Sequence, residues 1–274
     1  MKHIYAFLLI ALYASAHAQD PNWKRVRVLV YTKNGKGYVH DNIPFAVQAV
    51  LKLGREHGFS VDTSSRAEVF SESNLKKYNT LIFTSTNNDV FDSDAQRLAF
   101  RRYIEAGGGF VGVHSVTGTE RNWVWFKRML GGTFLWHAKF QPFNVRVIDS
   151  NHSSMKGIPA VWTRNDECYF AKELSPGPTA VLAHDITSLD RSDPREEQKI
   201  KDAAGHYNTL YPAAWYYDFD GGHTWCTALG HSKEDYSEPT FVNHLFQGIR
   251  YVVTRVKQID FSRAYATNRD EPIR

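Results

Sequence analysis

The chain alternates short β-branched runs with amphipathic segments of helical spacing. "VRVLVYT" (26–32) is a continuous apolar run, which predicts a buried strand. Asp41 or Asn42 then stands where a helix cap is needed, with Pro44 in the first turn. Phe45, Ala49, Val50, Leu51 and Leu53 keep the helical period until Gly58 stops it. "FSVDTS" predicts a second strand, "NLKKY" a short helical turn and "TLIFTST" (80–86) a third strand. From Asp92 or Ser93 another amphipathic helix runs to Ala106. Its expected inner face is Ala95, Leu98, Ala99, Arg102 and Tyr103, the Arg102 stem snorkelling. Gly107 to Gly109 end that helix, and "FVGVHS" is the fourth strand. Continuous apolar strands alternating with amphipathic helices predict βαβ units around a parallel sheet.

Beyond residue 133 the pattern changes. Residues 133–184 hold short extended runs, turn residues and many aromatics, which predicts that the sheet turns mixed. The polar stretch "LDRSDPREEQKIKDAAG" (189–205) predicts a mobile excursion. "AAWYYDF" and "TWCTALG" add two strands. A last helix is expected from a Ser237 cap, with Pro239 in its first turn and Phe241, Leu245, Ile249 and Val252 inward. The expected organisation is a signal peptide over 1–18, a single α/β domain over 19–256 and a polar tail over 257–274.

Composition narrows the function classes. The 274 residues carry 33 basic and 29 acidic side chains, a net charge of +4 with the signs interspersed. No Lys/Arg block is present, so a nucleic-acid partner is not expected. Lys2, the apolar run 4–12 and the small-x-small pattern Ala16-His17-Ala18 predict a secretory signal peptide cut near Ala18. The expected location is therefore secreted or periplasmic. That apolar run is too short for a bilayer, so no stable membrane span is expected. Cys168 and Cys226 are the only cysteines; a disulfide and two buried free thiols both remain open, and no cysteine metal spacing exists.

The candidate chemistry is imidazole chemistry. His114 ends the predicted fourth strand, and open α/β sheets bind ligands beyond the carboxyl ends of their strands. The preceding glycines lead into a strand instead of opening a helix, so no nucleotide cofactor is expected. "GHSKEDY" places His231 at another strand end, with Glu234 and Asp235 close behind. "YVHDNI" adds His40 and Asp41 to the same rim. "TFLWHAKFQPF" adds His137 and Gln141, and "TRNDECYF" adds Asp166, Glu167 and Tyr169. We expect His114, His231 and Glu167 as catalytic groups, since a carboxylate beside an imidazole sets its tautomer and basicity. His40, Asp41, Ser115, Trp123, Trp125, His137, Gln141, Asp166 and Tyr169 are the expected substrate-binding residues. Trp123, Trp125 and the nearby Trp136 suit stacking on sugar faces and suit a core equally well. His152, His184, His206 and His244 are expected to be structural or surface residues. His40, His114 and His231, with His137 and Glu167, are also chemically suited to zinc or another divalent first-row metal, although no HExxH spacing is present.

At "YVHDNIP", "AFRRYIEAGGGFVGVHSVTGTERNWVW", "HAKFQ", "RNDECY", "TALGHSKEDY" and "FVNHLFQGIRY" the chain resembles the trehalose-utilisation, or ThuA-like, family, from about residue 26 to 253. The resemblance implies a flavodoxin-like three-layer α/β sandwich with a mostly parallel central sheet, similar to class I glutamine amidotransferases. His114 stands where an amidotransferase would carry its nucleophilic cysteine, and "ALGHSKE" resembles the segment with the partner His and Glu. Without a thiolate the thioester route is closed, so a glutaminase is not expected. The implied context is sugar metabolism, including disaccharides and their 3-keto derivatives. The sequence departs from the family pattern at Gly118, Val124, Cys168, Tyr211 and His223; of these Gly118, Tyr211 and His223 are expected at the rim. The expected function is an exported hydrolase or lyase acting on a glycoside or keto-sugar. The alternative is a non-catalytic carbohydrate-binding protein on the same fold. A small-molecule sugar is the expected partner, and a homo-oligomer is compatible with the sequence.

Overall fold

Side-chain alternation along the first strand shows how the core divides. In a computed structural model, which describes residues 20–274, Val28 and Val30 enter one apolar cluster while Leu29 and Tyr31 enter a second on the opposite face. The expected signal peptide lies outside the described residues. The sheet therefore separates two helical layers, a three-layer α/β sandwich.

The parallel half is formed by β1 (Arg27–Tyr31), β2 (Ser60–Ser64), β3 (Thr80–Thr84), β4 (Gly109–Val113) and β11 (Gly222–Thr227). On one face lie α1 (Ile43–His57) and α6 (Pro239–Arg255). On the other lie α2 (Glu72–Leu75), α3 (Asp94–Glu105) and α4 (Val124–Leu130). The remaining strands of the main sheet are β6 (Gln141–Val147), β7 (Val161–Asp166), β9 (Thr179–Asp185) and β10 (Leu210–Phe219), all antiparallel to their neighbours. The order is β2-β1-β3-β4-β11-β10-β9-β6-β7. β5 (Thr133–His137) and β8 (Tyr169–Lys172) form a separate antiparallel pair. The mixed character expected beyond residue 133 is thus an antiparallel extension of a parallel sheet. Among the described residues no helix is long and apolar enough to cross a membrane.

Several local expectations change. The inner face of α3 is Ala99, Phe100, Tyr103 and Ile104, while Ala95 is exposed. The buried arginine is Arg101, paired with Glu105 at 2.8 Å, whereas Arg102 reaches out to Glu72 at 2.5 Å. Residues 189–205 are not a loose excursion. They contain α5 (Pro194–Ala204), capped by the Asp193 side chain, with Ile200 and Ala204 buried in the core. The α6 cap is Glu238 and not Ser237: its carboxylate accepts from the Thr240 and Phe241 amides at 2.8 and 2.7 Å. Residues 257–274 are polar yet docked, for Glu105 accepts the Tyr265 and Ala266 amides and Arg101 donates to the Glu271 carbonyl.

Candidate functional site

The loops beyond β1, β3, β4 and β11 all leave the carboxyl edge of the parallel half, and they meet the β7–β8 turn there. They enclose a cleft of about 430 Å³ lined by Tyr38, His40, Asn87, Ser115, Arg121, Phe134, His137, Glu167, Tyr169 and His231. His114 forms its floor, fully buried at the end of β4.

His114 has φ +57°, a left-handed conformation that disfavours a residue with Cβ and marks a sharp, over-determined turn. Its Nδ1 lies 3.1 Å from the Ala228 carbonyl. A carbonyl only accepts, so Nδ1 carries the hydrogen and Nε2 keeps its lone pair. Around that Nε2 stand His40 Nε2 at 3.1 Å, the Tyr169 hydroxyl at 3.1 Å and His231 Nδ1 at 3.3 Å.

Glu167 is the carboxylate of the cluster. Its Oε2 is 3.0 Å from His231 Nδ1, and its Oε1 is 3.4 Å from His137 Nδ1. Glu234, expected as a partner of His231, is exposed, and Asp235 turns inward to Arg164 at 2.6 Å. Burial alone would raise the Glu167 carboxyl, but the His231 hydrogen bond and surrounding imidazoles outweigh it and hold it below its ordinary value. The same hydrogen bond raises His231 against burial. Burial, then the charge of His231, lowers His40 to about 4; burial, then His40 and His231, takes His114 well below its ordinary value. Burial also raises the Tyr169 phenol.

A second layer fixes this arrangement. Asp166 is wholly buried and accepts the amides of Glu167, Gly230 and His231 at 2.8, 2.9 and 3.2 Å. Burial pushes its carboxyl up, against the pull of Arg164 and these amides. Gly230, at φ +108°, packs where a Cβ would meet the Phe241 ring at 2.6 Å. Asn42 occupies the α1 cap position, yet its side chain donates to the Gly230 and His231 carbonyls instead of capping the helix.

The expected site residues therefore divide. His40, Ser115, His137, Glu167, Tyr169 and His231 share the cleft, over His114. As a correction to its expected place on the rim, His114 is sealed beneath them, with no exposed surface on the cleft in this structure. Trp123 and Trp125 are core residues stacked on each other at 5.2 Å, because α4 turns them under the sheet instead of along the rim. Trp136 packs on Phe170. Gln141 is buried and bonds the Asp190 amide and Lys139 carbonyl, and Asp166 is a clamp with no face on the cleft. Asp41 lies on a neighbouring groove with Phe140 and Ser232.

Among the positions that depart from the family pattern, Gly118 lines the cleft, where a Cβ would meet Asn87 Oδ1 at 2.5 Å. Tyr211 lies behind it, bonded to the backbone of Ala171 and lining a separate apolar void of about 80 Å³. His223 is the second residue of β11, at the opposite edge of the sheet from the cleft. Tyr38, Asn87, Arg121 and Phe134 were not expected in the site. Tyr38 shares the His40 loop and Asn87 follows β3, so position along the chain could have found them; nothing in the sequence marks Arg121. Cys168 and Cys226 are both free and buried, and burial raises both thiols. Among the described residues, no thiol lines the cleft.

The fold and the site together define an α/β protein with the class I glutamine amidotransferase-like architecture, in which a histidine occupies the strand-end turn. The chain belongs to the ThuA family, described as trehalose utilisation, which matches residues 27–252. Its fold is similar to that of a ThuA-like protein from Bacteroides uniformis, at 24% identity and TM-score 0.66, covering 88% of this chain and 95% of that one. A ThuA-like protein from Parabacteroides merdae matches at 18% identity and TM-score 0.62, covering 85% and 92%. A β-galactosidase from Rahnella sp. R3 matches at 14% identity and TM-score 0.52, covering 82% of this chain and 30% of that one. No curated protein matches the chain.

Proposed function

We propose that the protein is an exported carbohydrate-processing enzyme that acts on a glycoside or disaccharide, or on its 3-keto derivative, by histidine and carboxylate acid–base chemistry. The observation that carries this reading is the Glu167 carboxylate, held between His231 and His137 on the wall of a cleft that also presents Tyr38 and Phe134. A base, a proton donor and aromatic faces on one concave surface suit a sugar. Family membership in trehalose utilisation supports the substrate class. The signal-like pattern ending at Ala18 supports export.

For a 3-keto-glycoside the proposed steps are an elimination that begins at C2. Ionised Glu167 removes the proton from C2, which the neighbouring ketone acidifies. The electron pair forms a C2–C3 double bond and places negative charge on the C3 oxygen. The Tyr169 hydroxyl and the imidazoles around it face that charge. The ketone then re-forms, the double bond shifts to C1–C2, and the C1–oxygen bond breaks. His137, half-exposed beside Glu167, gives the leaving oxygen its proton.

The test is a panel of glycosides and 3-keto-glycosides with the wild type and Glu167→Gln. Wild-type turnover of a keto-glycoside, with a loss of about 10²–10⁴-fold in the variant, is expected for a general base. Binding of a sugar without product anywhere on the panel would instead make the cleft a carbohydrate-binding site.

A further inference from the structure

The tautomers of His40 and His114 leave an unsolved contact at the floor of the cleft. His114 spends its Nδ1 hydrogen on the Ala228 carbonyl. The Ser115 hydroxyl spends its hydrogen on the Thr86 carbonyl at 3.1 Å, so it can only accept from His40 Nδ1, 3.4 Å away. Both Nε2 atoms then keep lone pairs, and those atoms face each other at 3.1 Å. His231 Nδ1 adds a third nitrogen 3.3 Å from His114 Nε2. The two facing Nε2 lone pairs repel unless a cation sits between them, and His231 Nδ1, which donates to Glu167 here, joins as a third ligand by giving up that hydrogen on metal binding.

We infer that His40 Nε2, His114 Nε2 and His231 Nδ1 form a binding site for a divalent first-row transition metal of the zinc type. The two edges at His114 fit: nitrogens on a tetrahedral ion with bonds near 2.0–2.1 Å lie about 3.3 Å apart, against 3.1 Å to His40 and 3.3 Å to His231. The donor set fits, since neutral imidazoles suit zinc and its neighbours. The outer contacts fit as well. Ligating histidines donate their other ring N–H to a fixed acceptor, as His114 does to Ala228 and His40 does to Ser115. All three ligand atoms lie within 4.8 Å of one another. Glu167 Oε2, 4.0 Å from His114 Nε2, flanks the triangle on the cleft side and offsets the charge of a dication. His40 and His231 line the cleft, so an ion between them and His114 borders the space where a substrate carbonyl would lie.

The inference is independent of which sugar binds, and its test needs no substrate. Tag-free full-length protein is stripped with chelator, dialysed against zinc, desalted and assayed by elemental analysis. About one zinc per chain is expected in the wild type and in a His206→Ala control, an exposed histidine outside the cluster. A fall of about tenfold or more is expected in the double variant His40→Asn/His231→Asn. Folded wild type that retains less than about a tenth of an equivalent would overturn the inference. So would zinc retained in full by a double variant whose circular dichroism matches the wild type. As a readout independent of any variant, cobalt(II) on the wild type is expected to give the visible absorption of a low-coordinate nitrogen site; a spectrum of hydrated cobalt alone contradicts it.

Discussion

Replacing Asp166 by asparagine strikes the clamp beneath the cleft. The carboxylate is wholly buried and accepts three backbone amides from two separate loops, with Arg164 at 3.4 Å. An asparagine can accept through its oxygen but turns an NH2 group toward at least one of those donors. Hydrogen bonds to a charged group contribute about 1.5–3 kcal/mol each, and leaving one buried partner unsatisfied costs the desolvation of that group. Breaking a buried ion pair on one side costs about 3–5 kcal/mol. These terms overlap, because Asp235 still holds Arg164 at 2.6 Å, so the expected net loss is about 3–5 kcal/mol. At about 2–4 °C per kcal/mol that lowers the melting temperature by roughly 6–20 °C. Urea unfolding of wild type and variant measures the difference directly. A loss below about 1 kcal/mol would refute the clamp, since it would mean the amides of residues 230–231 find equal partners without the charge.

Other substitutions separate core from cleft. Trp125→Ala should cost about 3–5 kcal/mol in urea unfolding and leave sugar affinity, measured by calorimetric titration, unchanged; lost affinity with intact stability would return Trp125 to the site. At Asp185, burial pushes the carboxyl up, but bonds from Thr187 and Arg146 outweigh it and hold it below its ordinary value. Its contribution is therefore present above about pH 4 and lost as pH falls through the depressed value. Asp185→Asn should accordingly melt below the wild type at neutral pH, with the two melting curves converging as the solution is acidified. A gap that widens in acid would reverse that sign.

The parallel half of the fold was legible because its strands are covered on both faces and read as unbroken apolar runs. The strand-end histidines were legible for a related reason: in such a sheet every carboxyl end faces one rim, so His40, His114 and His231 meet although 74 and 117 residues separate the bonded pairs. Burial depth was not legible. Nothing local says that α4 carries Trp123 and Trp125 inward, or that Arg101 and not Arg102 is sealed. The helix Pro194–Ala204 was hidden because only Ile200 and Ala204 reach the core, too few to write a helical period. Glu167 was legible as a carboxylate near aromatics, but its pairing with His231 depends on the turn after β7, which Asp166 fixes from within the protein.

The central claim is that Glu167 takes a proton from the carbon beside a sugar ketone. Proton NMR of a 3-keto-disaccharide in D2O reads that step directly as loss of the C2 signal, whether or not the glycosidic bond then breaks. The account predicts deuterium entering C2 with the wild type, at a rate that falls by about 10²–10⁴-fold in Glu167→Gln. Cleavage of the disaccharide with the C2 proton retained in the product would contradict it.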